Sequence, residues 1–98
     1  MAHTTVIRYT TRPEAADLNA QLVEKVFVEL AQAAPAGVRY TTLRLGDGSQ
    51  FVHVLTSEDD GNPLAGLPAF RQFQDGIRER CAEAPQFSPA TVVGAYGF

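Results

Sequence analysis

The chain has 98 residues, a formal net charge of −3, 45% hydrophobic and 19% charged residues. That is enough for one domain with a core and too little for two, so residues 1–98 are read as a single unit. The composition is globular, not disordered. Lysine occurs once, at Lys25, and the arginines are scattered. No basic face is evident for nucleic acid or for an anionic membrane surface, so neither is expected as a partner. The single cysteine, Cys81, rules out an internal disulfide framework and a multi-cysteine metal site. No apolar run reaches the roughly 20 residues of a membrane span. The opening "MAHTTVIRYT" has neither the basic nor the apolar region of a secretory signal, and the expected location is the cytoplasm.

In chain order, "TTVIRYT" (4–10) is β-branched and aromatic and reads as a strand. Thr11 and Glu14 have capping-box spacing, and Pro13 suits a first helical turn. From Glu14 to Ala34, Leu18, Leu22, Val26 and Leu30 fall on one stripe with Val23 and Phe27 beside it, which predicts a long amphipathic helix. "APAG" ends it. Residues 38–55, "VRYTTLRLGDGSQFVHVL", read as a hairpin closing on Asp47-Gly48, a pair suited to a type I′ turn. An acidic, turn-rich loop runs from Thr56 to Pro68. "AFRQFQDGIRERC" then places Phe70, Phe73, Ile77 and Cys81 at helical spacing, with Pro85 as the stop. "QFSP" reads as a turn and "ATVVGAYGF" as the last strand.

The resulting order, β-α-β-β-α-β, is the ferredoxin-like α+β arrangement: a four-stranded antiparallel sheet, ordered fourth, first, third, second, with two helices on one face. In the hairpin, Arg44 opposes Phe51, Thr42 opposes His53 and Tyr40 opposes Leu55. Because side chains alternate, Leu43, Leu45, Val52 and Val54 form the simpler apolar set, which is expected beneath the helices. Val38, Tyr40, Thr42, Arg44, Phe51, His53 and Leu55 are then expected on the open face, joined by Val6, Arg8 and Thr10 of the first strand. Ile7 is placed under the helices. Such an open face is too apolar for water, and its expected cover is the same face of a second copy.

The strand "TTVIRYT", the long first helix, the hairpin through "TSEDD" and the segment "TVVGAYGF" resemble the dimeric α/β-barrel superfamily, and within it the antibiotic-biosynthesis-monooxygenase-like bacterial proteins. "NPLAGLPAFRQFQDGIRERC" is similar to uncharacterised members of that group. The resemblance implies a homodimer. Where such proteins are enzymes, it implies oxygenation of a small aromatic or polyketide-like molecule without metal, flavin or other cofactor. This chemistry needs a base to form a carbanion or enolate and donors for the oxyanion. His53 suits the base and Arg44 a catalytic donor. Tyr40, Thr42, Phe51, Leu55 and Arg8 complete the candidate substrate-binding set. The chain departs from relatives of this kind in having no Trp, and its Asn19 and Asn62 fall on a helix and in a loop.

Each of these residues also has a plainer reading. His53 could be a hydrogen-bonded interface histidine, Arg44 a salt-bridge partner or rim residue, and the whole protein a non-catalytic binding or homodimerisation module. "GDGS" joins strands instead of opening a helix, so it is no phosphate loop. "SEDDGN" lacks EF-hand spacing. Cys81 reads as a buried structural thiol on the second helix. Gly76, costly inside a helix, suggests a close approach there. No metal ligand set is expected.

Overall fold

The computed structural model describes residues 3–58 and 63–97. Strand β1 (His3–Thr11) leads through a 3-10 turn (Pro13–Ala15) into helix α1 (Ala16–Ala33). Strands β2 (Val38–Arg44) and β3 (Gln50–Ser57) form a hairpin. Short helices α2 (Pro68–Gln74) and α3 (Ile77–Arg80) precede strand β4 (Cys81–Ala90). The four strands form one antiparallel sheet ordered β2-β3-β1-β4, the ferredoxin-like order expected.

The hairpin register is the expected one, with Arg44 opposite Phe51, Thr42 opposite His53 and Tyr40 opposite Leu55. Its faces are reversed. Tyr9 and Phe51 are buried in the core with Val23, Val26, Phe70 and Phe73, and Tyr40 and Leu55 pack against that core. Leu43 is instead 50% exposed. The register with β1 imposes this choice: Ile7 lies opposite His53 and Tyr9 opposite Phe51, and directly opposed residues share a face. Val6 and Arg8, opposite Val54 and Val52, stay on the open face as expected. An apolar set is available for either side. The aromatic set goes inside because it buries more area and its polar tips pair with one another.

The turn also differs. Gly48 alone has the left-handed conformation, at φ 89°, and a four-residue connection spans Leu45 to Gln50. The Gly48 amide donates to the Leu45 carbonyl, and the Asp47 carboxylate accepts from the Ser49 amide at 2.9 Å. That bond holds the Asp47 carboxyl below its ordinary value. Thr11 ends β1 instead of capping a helix, and no side chain caps the turn that follows.

On α1 the buried residues are Ala16, Asn19, Leu22, Val23 and Val26, while Leu18 is 51% exposed. Four-residue steps advance about 400°, so a stripe read as 18-22-26 drifts off the true face. The second helical region ends earlier than its apolar spacing suggests. Gly76 sits at φ 80° and separates α2 from α3, and Cys81 begins β4 instead of ending a helix. The chain past Ala90 carries no strand over residues 91–97. The last strand lies at 81–90 instead, where Pro85 and Pro89 look like breakers in the sequence. β4 is an edge strand, where a missing N–H is tolerated. The acidic stretch read as a solvated loop lies partly outside the described residues, at 59–62.

A Cβ at Gly76 would meet only the Arg80 Nη1 atom, at 3.5 Å, an ordinary contact. The penalty for alanine there is conformational. Gly76→Ala should lower unfolding free energy by about 1–2 kcal/mol, read as a reduced urea midpoint with an unchanged slope.

Candidate functional site

The centre of the site is His53, 2% exposed on the helix-facing side of β3. Its Nε2 lies 2.8 Å from the Tyr9 hydroxyl, and its Nδ1 lies 2.5 Å from the Tyr40 hydroxyl and 3.1 Å from Thr42 Oγ1. Strand pairing sets this up, since Thr42 is the cross-strand partner of His53 on β2 while Tyr9 and Tyr40 reach it diagonally from β1 and β2. The ring is enclosed by aromatic groups, with centroids of Tyr9, Phe73 and Tyr40 at 5.3, 5.5 and 5.7 Å. Tyr9 stacks on Phe51 at 5.5 Å and Tyr40 on Phe27 of α1 at 4.9 Å.

The polar chain continues behind Tyr9. Asn19, fully buried on α1, donates from Nδ2 to the Tyr9 hydroxyl at 2.9 Å. Its Oδ1 accepts from Arg80 Nε at 3.1 Å. Arg80, 7% exposed, also donates to the carbonyls of Phe73 and Asp75, and its guanidinium lies 5.3 Å over the Phe73 ring. Among the described residues no buried side-chain nitrogen or oxygen lacks a partner.

A cavity of about 330 Å³ opens beside this chain, between the sheet and α2. Its lining is mostly apolar, chiefly Ile7, Leu55, Leu64, Phe70, Phe73, Ile77 and Phe87, with the two tyrosines and His53 as one polar group and His3, Thr5, Ser57 and Gln74 as further polar residues. The volume is at the small end of the range for ligand sites. Burial lowers the imidazole from an ordinary 6.5 to about 4, so it is neutral near pH 7. Burial also pushes the Tyr40 phenol up to about 12 and raises that of Tyr9, against the hydrogen bond from Asn19. The site therefore presents two neutral phenols clamped on a neutral imidazole. Both ring nitrogens are engaged, so any proton exchange between His53 and the cavity would run through a phenol.

The sequence-predicted residues separate into groups. His53, Tyr40 and Leu55 line the cavity. Thr42 touches His53 from behind, and Phe51 supports Tyr9 from below. Arg44 lies outside the cavity lining, near the hairpin turn, paired with Asp17 at 2.9 Å and with the Gly48 carbonyl at 2.6 Å, and it lies over Phe51. Arg8 belongs to the opposite face, beside Val52. His53, Tyr40, Thr42, Phe51 and Leu55 thus occupy the face beneath the helices, not the open face expected for them. Sequence reasoning missed Tyr9, Asn19 and Arg80. Tyr9 was legible from strand alternation with Ile7. An Asn three residues from Ala16 and four from Val23 on the buried helical face was a weaker signal, and Arg80 gave none. Among the described residues no group of three metal-ligating side chains occurs, and no helix is long and apolar enough to cross a membrane.

No family model matches the chain, and no curated protein does. Solved structures do. Rv0793 from Mycobacterium tuberculosis superposes with a TM-score of 0.76 at 16% identity, covering 97% of this chain and 98% of that one. The fold is that of the antibiotic-biosynthesis-monooxygenase-like proteins. A structure named as an antibiotic biosynthesis monooxygenase gives 0.76 at 16% identity, over 96% of this chain and all of its own (100%). An alanine variant of SnoaB, a cofactor-independent oxygenase from Streptomyces nogalater, gives 0.70 at 18% identity, covering 99% of this chain and 98% of its own. The similarity is one of fold.

The His53 environment has a consequence for stability. The unfolded chain takes up a proton as pH falls through 6.5, whereas folded His53 does not until about 4. The stability it contributes is full above 6.5 and is lost as pH falls through that window. Unfolding free energy should drop by about 2 kcal/mol between pH 7 and pH 5 from this group alone. His53→Gln should flatten that part of the profile in urea titrations.

Proposed function

We propose that the chain is a small cytoplasmic enzyme of the cofactor-independent monooxygenase type, acting as a homodimer on a small aromatic or polyketide-like molecule. The observation that carries this reading is the cavity, mostly apolar in its lining and holding His53 between two phenols. The oxygenase-type neighbours of the same fold support it. An activated CH₂ between aromatic rings would lose a proton towards His53 through a phenol. The resulting carbanion would react with O₂, leaving a carbonyl and one water: the carbon gains one oxygen atom, and the second leaves with both hydrogens. The Tyr40 phenol would hold the oxyanion.

Anthrone, a tricyclic ketone with such a CH₂, is a suitable probe. Oxygen uptake with one equivalent of quinone formed per turnover is expected, and His53→Ala should lower kcat by at least about 100-fold. Undiminished turnover in that variant would remove His53 from the mechanism. Saturable binding without oxygen uptake would instead identify a non-catalytic binding module, the reading that the full engagement of both His53 nitrogens favours.

The dimer would form through the other side of the sheet. The helices cover one face only, leaving Val6, Leu43, Val52 and Val54 together on the other. Beyond β4, Val92, Val93 and Tyr96 are 58%, 99% and 95% exposed. A second copy offers a matching surface, and two-fold symmetry doubles any change made in it. Leu43→Glu alters a side chain already half exposed in the single chain, so folding should be retained. Light scattering at about 10 μM should show a shift from dimer to monomer, since a buried unpaired charge costs several kcal/mol at each of its two positions. A wild-type monomer would refute the assembly.

A further inference from the structure

We infer that Arg80 and Asn19 are positioning residues that fix the direction of the hydrogen-bond chain through His53, placing its proton on Nδ1 and leaving the Tyr40 hydroxyl as the donor facing the cavity. Arg80 has donors and no acceptor, so the Asn19 atom facing it at 3.1 Å is the carbonyl oxygen. The Asn19 amide nitrogen therefore donates to Tyr9. The Tyr9 oxygen, already an acceptor, can pass its own proton to His53 Nε2 at 2.8 Å. A neutral imidazole then carries its proton on Nδ1, which donates to Tyr40 and Thr42.

The opposite direction would bring two donors onto the Tyr9 oxygen and leave the Tyr9 proton without an acceptor. Tyr9 is 5% exposed, whereas Tyr40 is only partly buried and has the Thr42 hydroxyl beside its own, so a proton not taken by His53 is better tolerated on Tyr40. Head-to-tail dipoles running away from a buried cation also reinforce one another. The backbone break at Gly76 makes the anchor possible. It leaves the Phe73 and Asp75 carbonyls to accept from Arg80 instead of continuing a helical ladder.

The ligand class follows, and this part rests on the cavity being the binding site proposed above. Tyr40 lines the cavity with a proton to give, in a lining that is mostly apolar. The ligand that fits bears an acceptor oxygen placed to meet Tyr40 on a largely apolar skeleton, such as a ring ketone or quinone.

Nitrogen-15 NMR of the histidine ring in the whole protein at pH 8, assigned by comparison with His53→Gln, reads the tautomer directly. The wild type should show Nδ1 as the protonated nitrogen and Nε2 as the pyridine-like one. Asn19→Asp keeps the shape and a partner for Arg80 but turns the group facing Tyr9 into an acceptor. The Tyr9 proton should then go to the introduced carboxylate, and the His53 proton should move to Nε2. An Nε2-protonated wild type overturns the inference without any variant. So does a folded Asn19→Asp protein whose tautomer is unchanged, because a purely structural Asn19 would move stability alone.

In a separate arm, 9-fluorenone should bind roughly three- to tenfold more tightly than fluorene, a preference lost in Tyr40→Phe. Equal binding of the two by the wild type would overturn the assignment of Tyr40 as donor. If neither binds, the cavity reading fails, while the tautomer measurement still decides the direction of the chain.

Discussion

Keeping an imidazole uncharged inside the protein is the constraint on which the rest of this structure depends. His53 occupies a central strand, under the helices, at 2% exposure. A charged ring there would lose its hydration with no anion to replace it. The surroundings satisfy the neutral form instead: one partner at Nε2, two at Nδ1, and aromatic faces around the ring. Each partner has in turn been given its own support. Tyr9 rests on Phe51 and on Asn19, Tyr40 on Phe27, and Asn19 on Arg80. The core of this small domain is largely a scaffold for that arrangement.

Arg80 shows how far the requirement extends. A guanidinium at 7% exposure would ordinarily call for a carboxylate. Here it is met by two carbonyls, an amide oxygen and the face of Phe73. A helix interrupted by a left-handed glycine supplies the carbonyls in the right place. The same interruption shortens the helical region enough for the chain to return as β4 directly after Arg80.

The fold was largely legible from the sequence, the hairpin's orientation was not, and the reason is physical. Alternation in residues 38–55 defines two faces and a register, and both are as expected. It does not say which face is covered. Val52, Val54 and Leu43 look like a core, and Tyr40, Thr42 and His53 look like a surface, when each strand is judged alone. The polar atoms of the second set satisfy one another only once β1 and α1 are in place, through contacts separated by as many as 44 residues. Arg80 and Asn19 meet across 61 residues, which no local pattern encodes. Arg44 illustrates the converse. It shares the face of Phe51 but stands near the turn, where Asp17 and the Gly48 carbonyl claim it. The prolines of β4 hid a strand because their effect depends on whether the strand lies at an edge.

The cavity is walled by β1, β2, β3, the α2–α3 region and β4 of one chain, on the helix side of the sheet, while Val6, Val52, Val54 and Leu43 look the other way. Two copies joined through those residues would stand back to back, each with a complete chamber opening outward. Any adjustment to a ligand in one chamber would fall on α2 and α3, on the side away from the neighbour. Occupancy of the two would therefore be independent, giving a hyperbolic saturation curve with a Hill coefficient near one. The alternation of a single strand, β3, would separate what the protein binds from how it assembles.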